Sequence, residues 1–365
     1  MKIINVIPQL ASGGGERFTI DLCNALALQG HDVSLIVFFP LNEHFGFYKD
    51  ELSDKVKLIS LNKKIGLDFT LAFRLRKVIQ EIAPDIVNTH LRAILYMPLS
   101  VLTIKAKFFH TVHNTAEVEA GGTVGGILRK LFFKTGKVTP ITISLESLAS
   151  FEKYYGQTAP MIFNGRDIPE SLQISDSVKQ EINEFKKTPA TKVLVHLARY
   201  TEVKRQDLMA RVAKRLYDEG FDFIVLLIGR TDEKILNGVR IANCRVCHIL
   251  GEKKKPLEYL MAADAFCLCS TYEGMPISLI EAMGVGAIPV CTPVGGIVNV
   301  VKNGENGFLA DDISEESFYE AMKKFLMLSE NDSQLMKKSV LKAYEPFTMR
   351  ECASKYIELY NKTKM

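Results

Sequence analysis

The sequence predicts an α/β protein of two domains, each built around a parallel β-sheet with helices on both faces. Two observations lead to this prediction. The length of 365 residues exceeds what one hydrophobic core usually supports, and short apolar strands alternate with helical patterns in both halves of the chain. Hydrophobic residues make up 47% of the sequence, which is enough to fill two cores and excludes a disordered or fibrous protein.

The first half opens with a complete strand, helix and strand unit. Residues 3–7 form an apolar run that predicts a buried strand, and three glycines at 13–15 follow it as a loop. A helix is predicted over 16–28, with Gly30 marking its end, and the next strand at 33–39. Two strands joined through a helix in this way are parallel.

The same alternation continues along the chain. Further strands of the first half are predicted at 56–61, 86–88, 108–112 and 141–143, with a helix at 71–82. A polar stretch from 166 to about 190, with two prolines, then interrupts the pattern as a linker does. Strands of the second half are predicted at 193–197, 223–228, 245–250, 265–268 and 287–291, with helices at 206–219 and 277–283.

We therefore expect Rossmann-like, doubly wound domains at 1–167 and 168–346. Residues 349–360 are amphipathic and follow Pro346, which redirects the chain. This pattern predicts that a C-terminal helix within 347–365 packs back on the first domain.

Charge is nearly balanced, with 46 Lys and Arg against 42 Asp and Glu, so a nucleic-acid-binding protein is not indicated. Basic residues are densest in 92–137, where aromatic and aliphatic residues are interleaved with them. The basic residues are Arg92, Lys105, Lys107, Arg129, Lys130, Lys134 and Lys137, and the apolar ones are Phe108, Phe109, Leu131, Phe132 and Phe133. The stretch 105–137 predicts a surface for an anionic membrane, with a solvated basic helix as the alternative.

The seven cysteines and the short apolar run at the N terminus predict a reduced, cytoplasmic setting. No stretch approaches the roughly 20 apolar residues of a membrane span, so a membrane contact would be peripheral, on the inner face. Cys244-Arg245-Val246-Cys247-His248 matches a short haem-attachment pattern. A strand predicted there would turn the two cysteines to opposite sides, so neither haem nor a metal is expected.

The strongest functional signal lies in residues 270–284. Glu273 and Glu281 are separated by seven residues across a predicted helix start, with Pro276 in its first turn. Backbone N–H groups at this start favour an anion or a sugar oxygen, and they belong to Gly274, Met275 and Ile277. Two carboxylates at two depths along one helix face can hold two separated polyols. The segment therefore predicts a nucleotide-sugar site.

With these features in place, the chain resembles the GT-B glycosyltransferases of family 4, a retaining group with a Glu-x7-Glu motif. The resemblance covers nearly the whole length and implies two domains that face each other across a cleft. It rests on Gly13-Gly14-Gly15-Glu16-Arg17, His110-Thr111-Val112-His113, Asn164-Gly165-Arg166-Asp167, Ala198-Arg199 with Lys204, and Glu273 through Glu281 followed by Gly295-Gly296. Any one of these segments is weak, whereas the ordered set is specific.

The resemblance also implies a role for each segment. Glu273 would bind hydroxyls of the donor sugar and Glu281 the ribose, while His113 would position the transferred sugar. The residues expected to act in catalysis are Glu273, His113, Arg199 and Lys204, of which Arg199 and Lys204 would neutralise the leaving diphosphate. The residues expected to bind the donor are Gly14, Gly15, Arg199, Lys204, Gly274, Met275, Pro276, Ile277 and Glu281. Gly14 and Gly15 would let the backbone approach a phosphate or sugar.

The predicted function is transfer of a sugar from a nucleoside-diphosphate sugar to an acceptor hydroxyl, with retention of configuration. The acceptor is expected to be a polysaccharide or glycolipid intermediate. No metal or cofactor is expected, because no Asp-x-Asp pair stands in the cleft segments and cationic side chains can replace a divalent ion.

Two alternatives stay open at this point, a GT-B sugar-nucleotide 2-epimerase and a non-catalytic sugar-nucleotide-binding protein. The second arises because Val298-Asn299 departs from the proline and glutamate that relatives commonly have there. A nicotinamide dehydrogenase is disfavoured, since no G-x-G-x-x-G follows the first strand.

Overall fold

A computed structural model of the protein describes residues 1–66, 68, 70–120 and 123–363. The strands are β1 Lys2–Ile7, β2 Asp32–Val37, β3 Val56–Ser60, β4 Ile86–His90, β5 Lys107–Val112, β6 Thr139–Thr142, β7 Lys192–Leu197, β8 Phe223–Ile228, β9 Cys247–Gly251, β10 Ala265–Leu268, β11 Ile288–Cys291 and β12 Phe308–Leu309. The helices are α1 Gly14–Leu28, α2 Leu71–Ile82, α3 Pro98–Thr103, α4 Ala116–Ala120, α5 Thr123–Lys134, α6 Leu145–Tyr155, α7 Asp176–Phe185, α8 Gln206–Asp218, α9 Glu233–Ile241, α10 Pro256–Met261, α11 Ile277–Gly284, α12 Glu315–Leu326, α13 Glu330–Tyr344 and α14 Met349–Lys362.

The chain divides into two compact units. The first comprises Met1–Arg166 with Phe347–Met365, and the second comprises Asp167–Pro346. Each contains a six-stranded sheet, in the order β3-β2-β1-β4-β5-β6 in the first unit and β12-β11-β10-β7-β8-β9 in the second. The strand pairs are parallel, as in β1 with β4 and β7 with β10. In both sheets the order reverses direction beside the first strand, which confirms the predicted doubly wound α/β fold.

The strands are apolar because helices cover both faces of each sheet. All six residues of β8 are buried, and β1 is buried from its second residue onward. A strand buried on both faces shows a continuous apolar run in its sequence rather than an alternating one. Among the helices of the described residues, none is both long enough and apolar enough to span a bilayer.

The last helix, α14, belongs to the first unit, as predicted. Thr348 caps it by accepting a hydrogen bond from the backbone N–H of Glu351. The Tyr356 hydroxyl lies 3.1 Å from the hydroxyl of Thr111 on β5, and Lys107 Nζ donates to the carbonyl of Tyr360 at 3.0 Å. Both tyrosines are fully buried. The C-terminal segment therefore completes the core of the first unit.

The prediction of a basic aromatic surface over 105–137 is partly wrong. Arg129 is 1% exposed, and its guanidinium donates to the carbonyls of Leu91 and Ala120. The buried phenylalanines of this stretch are Phe108, Phe109, Phe132 and Phe133. Gly121 and Gly122 lie outside the described residues. Exposed basic residues remain at Lys105, Lys130, Lys134 and Lys137.

The predicted strand at 245–250 begins later than expected. Residues 244–246 form a turn, in which the N–H of Cys247 donates to the carbonyl of Cys244 at 3.3 Å, and β9 starts at Cys247. Consequently the two cysteines do not face opposite sides of a strand. A smaller difference concerns Pro276, which precedes the first turn of α11 as its N-cap.

Candidate functional site

In the second unit, Lys204 and Glu273 form a close ion pair. Lys204 Nζ lies 2.5 and 2.6 Å from the two carboxylate oxygens of Glu273. The side chains are 23% and 6% exposed, respectively. Lys204 follows β7 and Glu273 follows β10, and these neighbouring parallel strands end at the same edge of the sheet. This carboxyl edge is where open α/β sheets bind ligands.

Short hydrogen bonds fix the loops that carry this pair. The hydroxyl of Ser270 donates to Glu273 Oε1 at 2.5 Å, and the N–H of Thr271 donates to the carbonyl of Val203 at 2.9 Å. The amide of the buried Gln206 donates to the carbonyl of Arg199 at 3.0 Å, while the Arg199 side chain is exposed. The loops after β7 and β10 are therefore bonded to each other as well as through the ion pair.

The start of α11 lies directly after Glu273 and is held by a glycine. The N–H of Gly296 donates to the carbonyl of Gly274 at 2.6 Å. A Cβ built on Gly296 would lie 2.5 Å from that carbonyl oxygen and 3.0 Å from the Cα of Met275. Only glycine permits this approach. The open N–H groups at the first turn of α11, which begins at Ile277, are thus placed next to Glu273.

Glu281 lies within α11 and is 7% exposed. It is the fifth residue of α11, about one turn inside the helix, and both Glu273 and Glu281 are buried. A buried carboxylate is costly unless polar groups surround it, which favours a structural or binding role over a solvated surface position. Lys204, Glu273, Glu281 and the helix start are therefore grouped within the second unit, with Arg199 on the loop beside Lys204.

In the first unit, the glycine loop lies against His113. A Cβ on Gly15 would be 3.7 Å from His113 Nδ1 and 3.2 Å from the side chain of Leu91. Gly13 precedes α1 as its N-cap, and the carboxylate of Glu16 folds over it, 2.4 Å from the position of a Cβ. This carboxylate would repel a phosphate, but it could accept a hydrogen bond from a sugar hydroxyl. The loop therefore suits a sugar better than a phosphate.

A chain of hydrogen bonds orients the ring of His113. His113 Nε2 lies 3.0 Å from His90 Nδ1, and His90 Nε2 lies 3.0 Å from Asn5 Oδ1. Because the amide oxygen of Asn5 only accepts, we assign the proton of His90 to Nε2, and its Nδ1 then accepts from His113 Nε2–H. His113 Nδ1, which faces Gly15, is left with its lone pair. It can accept a hydrogen bond from a hydroxyl.

Burial keeps these imidazoles neutral. Burial lowers the pKa of His113 to about 4, although the nearby negative charge of Glu119 acts to raise it. The carboxylate of Glu119 also accepts a hydrogen bond from the His113 backbone N–H at 2.6 Å. Burial also lowers the pKa of His90 well below its ordinary value, and the neighbouring His113 contributes. His110 is fully buried in the core, and its Nε2 lies 3.1 Å from Glu119 Oε2.

We expect the free energy of unfolding to fall as the pH is lowered from 6.5 toward 4. The unfolded chain protonates His113 near pH 6.5, whereas the folded chain binds that proton only at about pH 4. The contribution of neutral His113 to the free energy of unfolding is therefore fully present above pH 6.5. Below that pH it decreases by up to about 1.4 kcal/mol per pH unit. Burial of His90 and His196 acts in the same direction.

Urea unfolding at pH 6.5 and 5.0 measures this dependence. His113→Asn removes the titrating group, so the loss of stability between pH 6.5 and 5.0 should be smaller than in the wild type by about 1.5 kcal/mol. His44→Asn is the matched control, because His44 is exposed. Equal losses in the wild type and His113→Asn would contradict the buried, neutral state of His113.

Two family models match this chain, one over each half. Glycosyltransferase Family 4 matches residues 12–165, and Glycosyl transferases group 1 matches residues 177–340. The chain belongs to the family 4 glycosyltransferases of the GT-B fold. Neither family description names an epimerase or a binding protein without activity, and the glycosyltransferase prediction is confirmed.

Relatives of this glycosyltransferase match it over most of its length. It is 24% identical over 371 residues to N-acetyl-alpha-D-glucosaminyl L-malate synthase of Bacillus anthracis, covering 95% of this chain and 93% of the relative. It is also 24% identical over 359 residues to GalNAc-alpha-(1->4)-GalNAc-alpha-(1->3)-diNAcBac-PP-undecaprenol alpha-1,4-N-acetyl-D-galactosaminyltransferase of Campylobacter jejuni, covering 93% and 92%. The solved structure of Anabaena Alr3699/HepE with UDP-glucose covers 100% of both chains at 17% identity with a TM-score of 0.81, which shows the shared fold.

The sequence did not identify every candidate residue in either unit of the glycosyltransferase. His90 and Asn5 set the orientation of His113, and Ser270 holds Glu273. One signal was available for His90, since it stands at the end of an apolar strand, as His113 does. No comparable signal marks Asn5 or Ser270, because their roles depend on strands that are distant in sequence.

Proposed function

We propose that this glycosyltransferase moves a sugar from a nucleoside diphosphate to an acceptor hydroxyl with retention of configuration. The observation that carries the proposal is the Lys204–Glu273 pair beside the start of α11. In this arrangement, Glu273 bonds hydroxyls of the donor sugar and Lys204 bonds the diphosphate. Glu281, farther along the same helix, bonds the ribose.

The charge of the leaving diphosphate requires positive partners. Lys204, Arg199 and the N–H groups that open α11 supply them, so transfer proceeds without a divalent metal. The diphosphate in turn helps to accept the proton of the acceptor hydroxyl on the face of the sugar that it leaves. Within the first unit, His113 and the loop of Gly14 and Gly15 form a group suited to a sugar, since Nδ1 of the imidazole can accept a hydrogen bond from a hydroxyl.

A thermal-shift screen of UDP, GDP, ADP, CMP and their common sugar conjugates tests the donor. We expect UDP and one UDP-sugar to respond, because the similar Anabaena protein was solved with UDP-glucose. At 100 times its Kd, a ligand stabilises the folded state by about 2.7 kcal/mol. The response should persist in EDTA, since side chains rather than a metal bind the diphosphate.

Variants make the screen specific to the site. Glu281→Ala should abolish the response by removing the partner of the ribose, whereas Glu320→Ala, an exposed glutamate on α12, should leave it unchanged. A full response in Glu281→Ala would contradict the ribose assignment. A response that is lost in EDTA and restored by manganese would contradict metal-independent transfer.

The acceptor is proposed to be a polysaccharide or glycolipid intermediate at an anionic membrane. The Campylobacter jejuni relative is named for an acceptor that is linked to undecaprenol. In this chain, the outer face of α5 exposes Ile127 at 63% and Leu131 at 57%, with Lys130 and Lys134 on the same face. Apolar side chains flanked by lysines suit the boundary of an anionic bilayer.

Flotation with anionic and neutral vesicles tests this contact. Replacing Lys130, Lys134 and Lys137 with glutamine should weaken partitioning onto anionic vesicles about 100-fold, since each lysine contributes about 1 kcal/mol. The same three-charge change at exposed lysines of the second unit is the control, at Lys254, Lys302 and Lys324. Equal recovery of the two triple variants would contradict the membrane face. Arg129 is left intact because it is buried.

A further inference from the structure

Cys244 and Cys247 are placed close together by the turn that precedes β9. The backbone hydrogen bond from Cys247 N–H to the carbonyl of Cys244 spans three residues, the pattern of a β-turn. The Cα atoms at the ends of such a turn are less than about 7 Å apart. A disulfide requires Cα atoms separated by about 4.4 to 6.8 Å. The backbone therefore already has a geometry compatible with a bond between these sulfurs.

The two thiols also contact each other. The hydrogen bond from the Cys247 thiol is the largest influence on Cys244 and holds its pKa below the ordinary value, and the backbone N–H groups of Val246 and Cys247 add to this effect. The same contact with Cys244, together with burial, raises the pKa of Cys247. The positive charge of Lys214 further favours the Cys244 thiolate. Cys244 is thus the more readily ionised sulfur of the two, which suits it to act as the nucleophile.

Solvent exposure distinguishes Cys244 and Cys247 from the other cysteines. Cys244 and Cys247 are partly exposed, and β9 is the edge strand of its sheet. The remaining cysteines are buried, at Cys23, Cys267, Cys269, Cys291 and Cys352. Burial raises the pKa of Cys269 to about 12, and it acts in the same direction on Cys23, Cys267 and Cys291. An oxidant in solution therefore reaches the turn before β9 more readily than the buried cysteines.

We propose that Cys244 and Cys247 form a redox site that closes into a disulfide when hydrogen peroxide reaches Cys244. The thiolate of Cys244 attacks the peroxide, which leaves a sulfenic acid on Cys244 and one water after proton uptake. The sulfur of Cys247 then displaces the hydroxyl group from Cys244, and a second water is released. Two thiols lose two electrons and two protons, and one peroxide becomes two waters.

This site is separate from the one proposed for sugar transfer. Cys247 is the first residue of β9, whereas Lys204 and Glu273 follow the last residues of β7 and β10. In a parallel sheet these positions are at opposite ends of the strands. The redox chemistry therefore does not depend on the proposed donor site, and its test reads sulfur chemistry without measuring transfer.

The test exposes the fully reduced, folded protein to hydrogen peroxide and then blocks free thiols with N-ethylmaleimide. Peptide mass spectrometry should find the peptide with Cys244 and Cys247 unlabelled and lighter by two hydrogens. Intact mass should show no disulfide-linked dimer, and dithiothreitol should restore labelling of both cysteines. The buried cysteines, read in the same digest after denaturation, should remain reduced thiols.

Single variants separate the two roles. In Cys247→Ser, dimedone should trap a sulfenic acid on Cys244, because the resolving thiol is absent. In Cys244→Ser, Cys247 should stay reduced at the same peroxide dose, and Cys352→Ser should form the disulfide as the wild type does. The proposal is overturned if both wild-type cysteines remain labelled at a dose that oxidises dithiothreitol. Preferential oxidation of a buried cysteine would also overturn it.

Discussion

Replacing Lys204 with methionine is expected to lower kcat/KM for sugar transfer about 100- to 1000-fold. Lys204 Nζ is 2.5 and 2.6 Å from the carboxylate oxygens of Glu273, so it lies beside the group proposed to hold the donor sugar. In the proposed reaction this ammonium meets negative charge that grows on the leaving diphosphate in the transition state. Methionine keeps much of the length of the side chain but donates no hydrogen bonds. Steady-state kinetics with the donor found in the nucleotide screen measure the effect.

A second variant separates catalysis from folding. Without Lys204, the carboxylate of Glu273 is left 6% exposed and without its cation, which should cost on the order of 2 kcal/mol of stability. Lys204→Met combined with Glu273→Gln removes both charges and should recover most of this stability. It should not recover turnover. Transfer at the wild-type rate by a folded double variant would show that the pair is structural only.

Gly296→Ala is expected to destabilise the protein by about 1 to 3 kcal/mol and to raise the donor KM at least about tenfold. The added Cβ would lie 2.5 Å from the carbonyl oxygen of Gly274 and 3.0 Å from the Cα of Met275. Both are backbone atoms, so the loop between Glu273 and α11 has to move. Urea unfolding and donor titration measure the two effects separately.

Val298→Ala is the matched control for this variant. Val298 lies in the same short helical turn, Gly295–Asn299, but is 47% exposed. Its truncation should change stability by no more than about 0.5 kcal/mol and leave donor affinity intact. If Gly296→Ala bound the donor as tightly as Val298→Ala, the approach of Gly296 to Gly274 would not position the site.

The fold could be predicted from the sequence because strands buried on both faces leave an unambiguous pattern. Residues 223–228 are apolar at every position, and they form β8 with the predicted bounds. The glycine loop followed by a helical pattern likewise predicted a parallel unit at the start of the chain. The reversal in strand order could not be obtained from one sequence, since it depends on which strands pair.

The candidate site was predictable as separate segments but not as an assembly. Lys204 and Glu273 are 69 positions apart, and their contact follows from the pairing of β7 with β10. The orientation of His113 depends similarly on β1, β4 and β5 lying side by side, which brings Asn5 and His90 to it. Each interaction crosses strands whose order the sequence does not state.

Each wrong prediction has an identifiable physical cause. Phe108 and Phe109 were assigned to a surface although they lie on β5, which is covered on both sides. Arg129 was assigned to a membrane-facing surface because basic and apolar residues alternate around it, yet two carbonyls accept hydrogen bonds from its guanidinium. At residues 244–246 an apolar run was interpreted as strand, whereas backbone hydrogen bonding makes it a turn. Tertiary contacts therefore outweigh the local pattern at Phe108, Phe109 and Arg129, whereas a local hydrogen bond decides the turn at 244–246.

The first unit draws its core from both ends of the chain, and this constrains the order in which the protein can fold on the ribosome. Tyr356 lies 245 positions after Thr111, its hydrogen-bond partner, and Tyr360 packs against Phe109 with ring centroids 4.6 Å apart. During synthesis these surfaces on residues 1–166 stay uncovered until the last helix emerges. The second unit is continuous in the chain, so all its residues are synthesised before the last helix of the first unit. It can therefore complete its fold first, although its synthesis begins second.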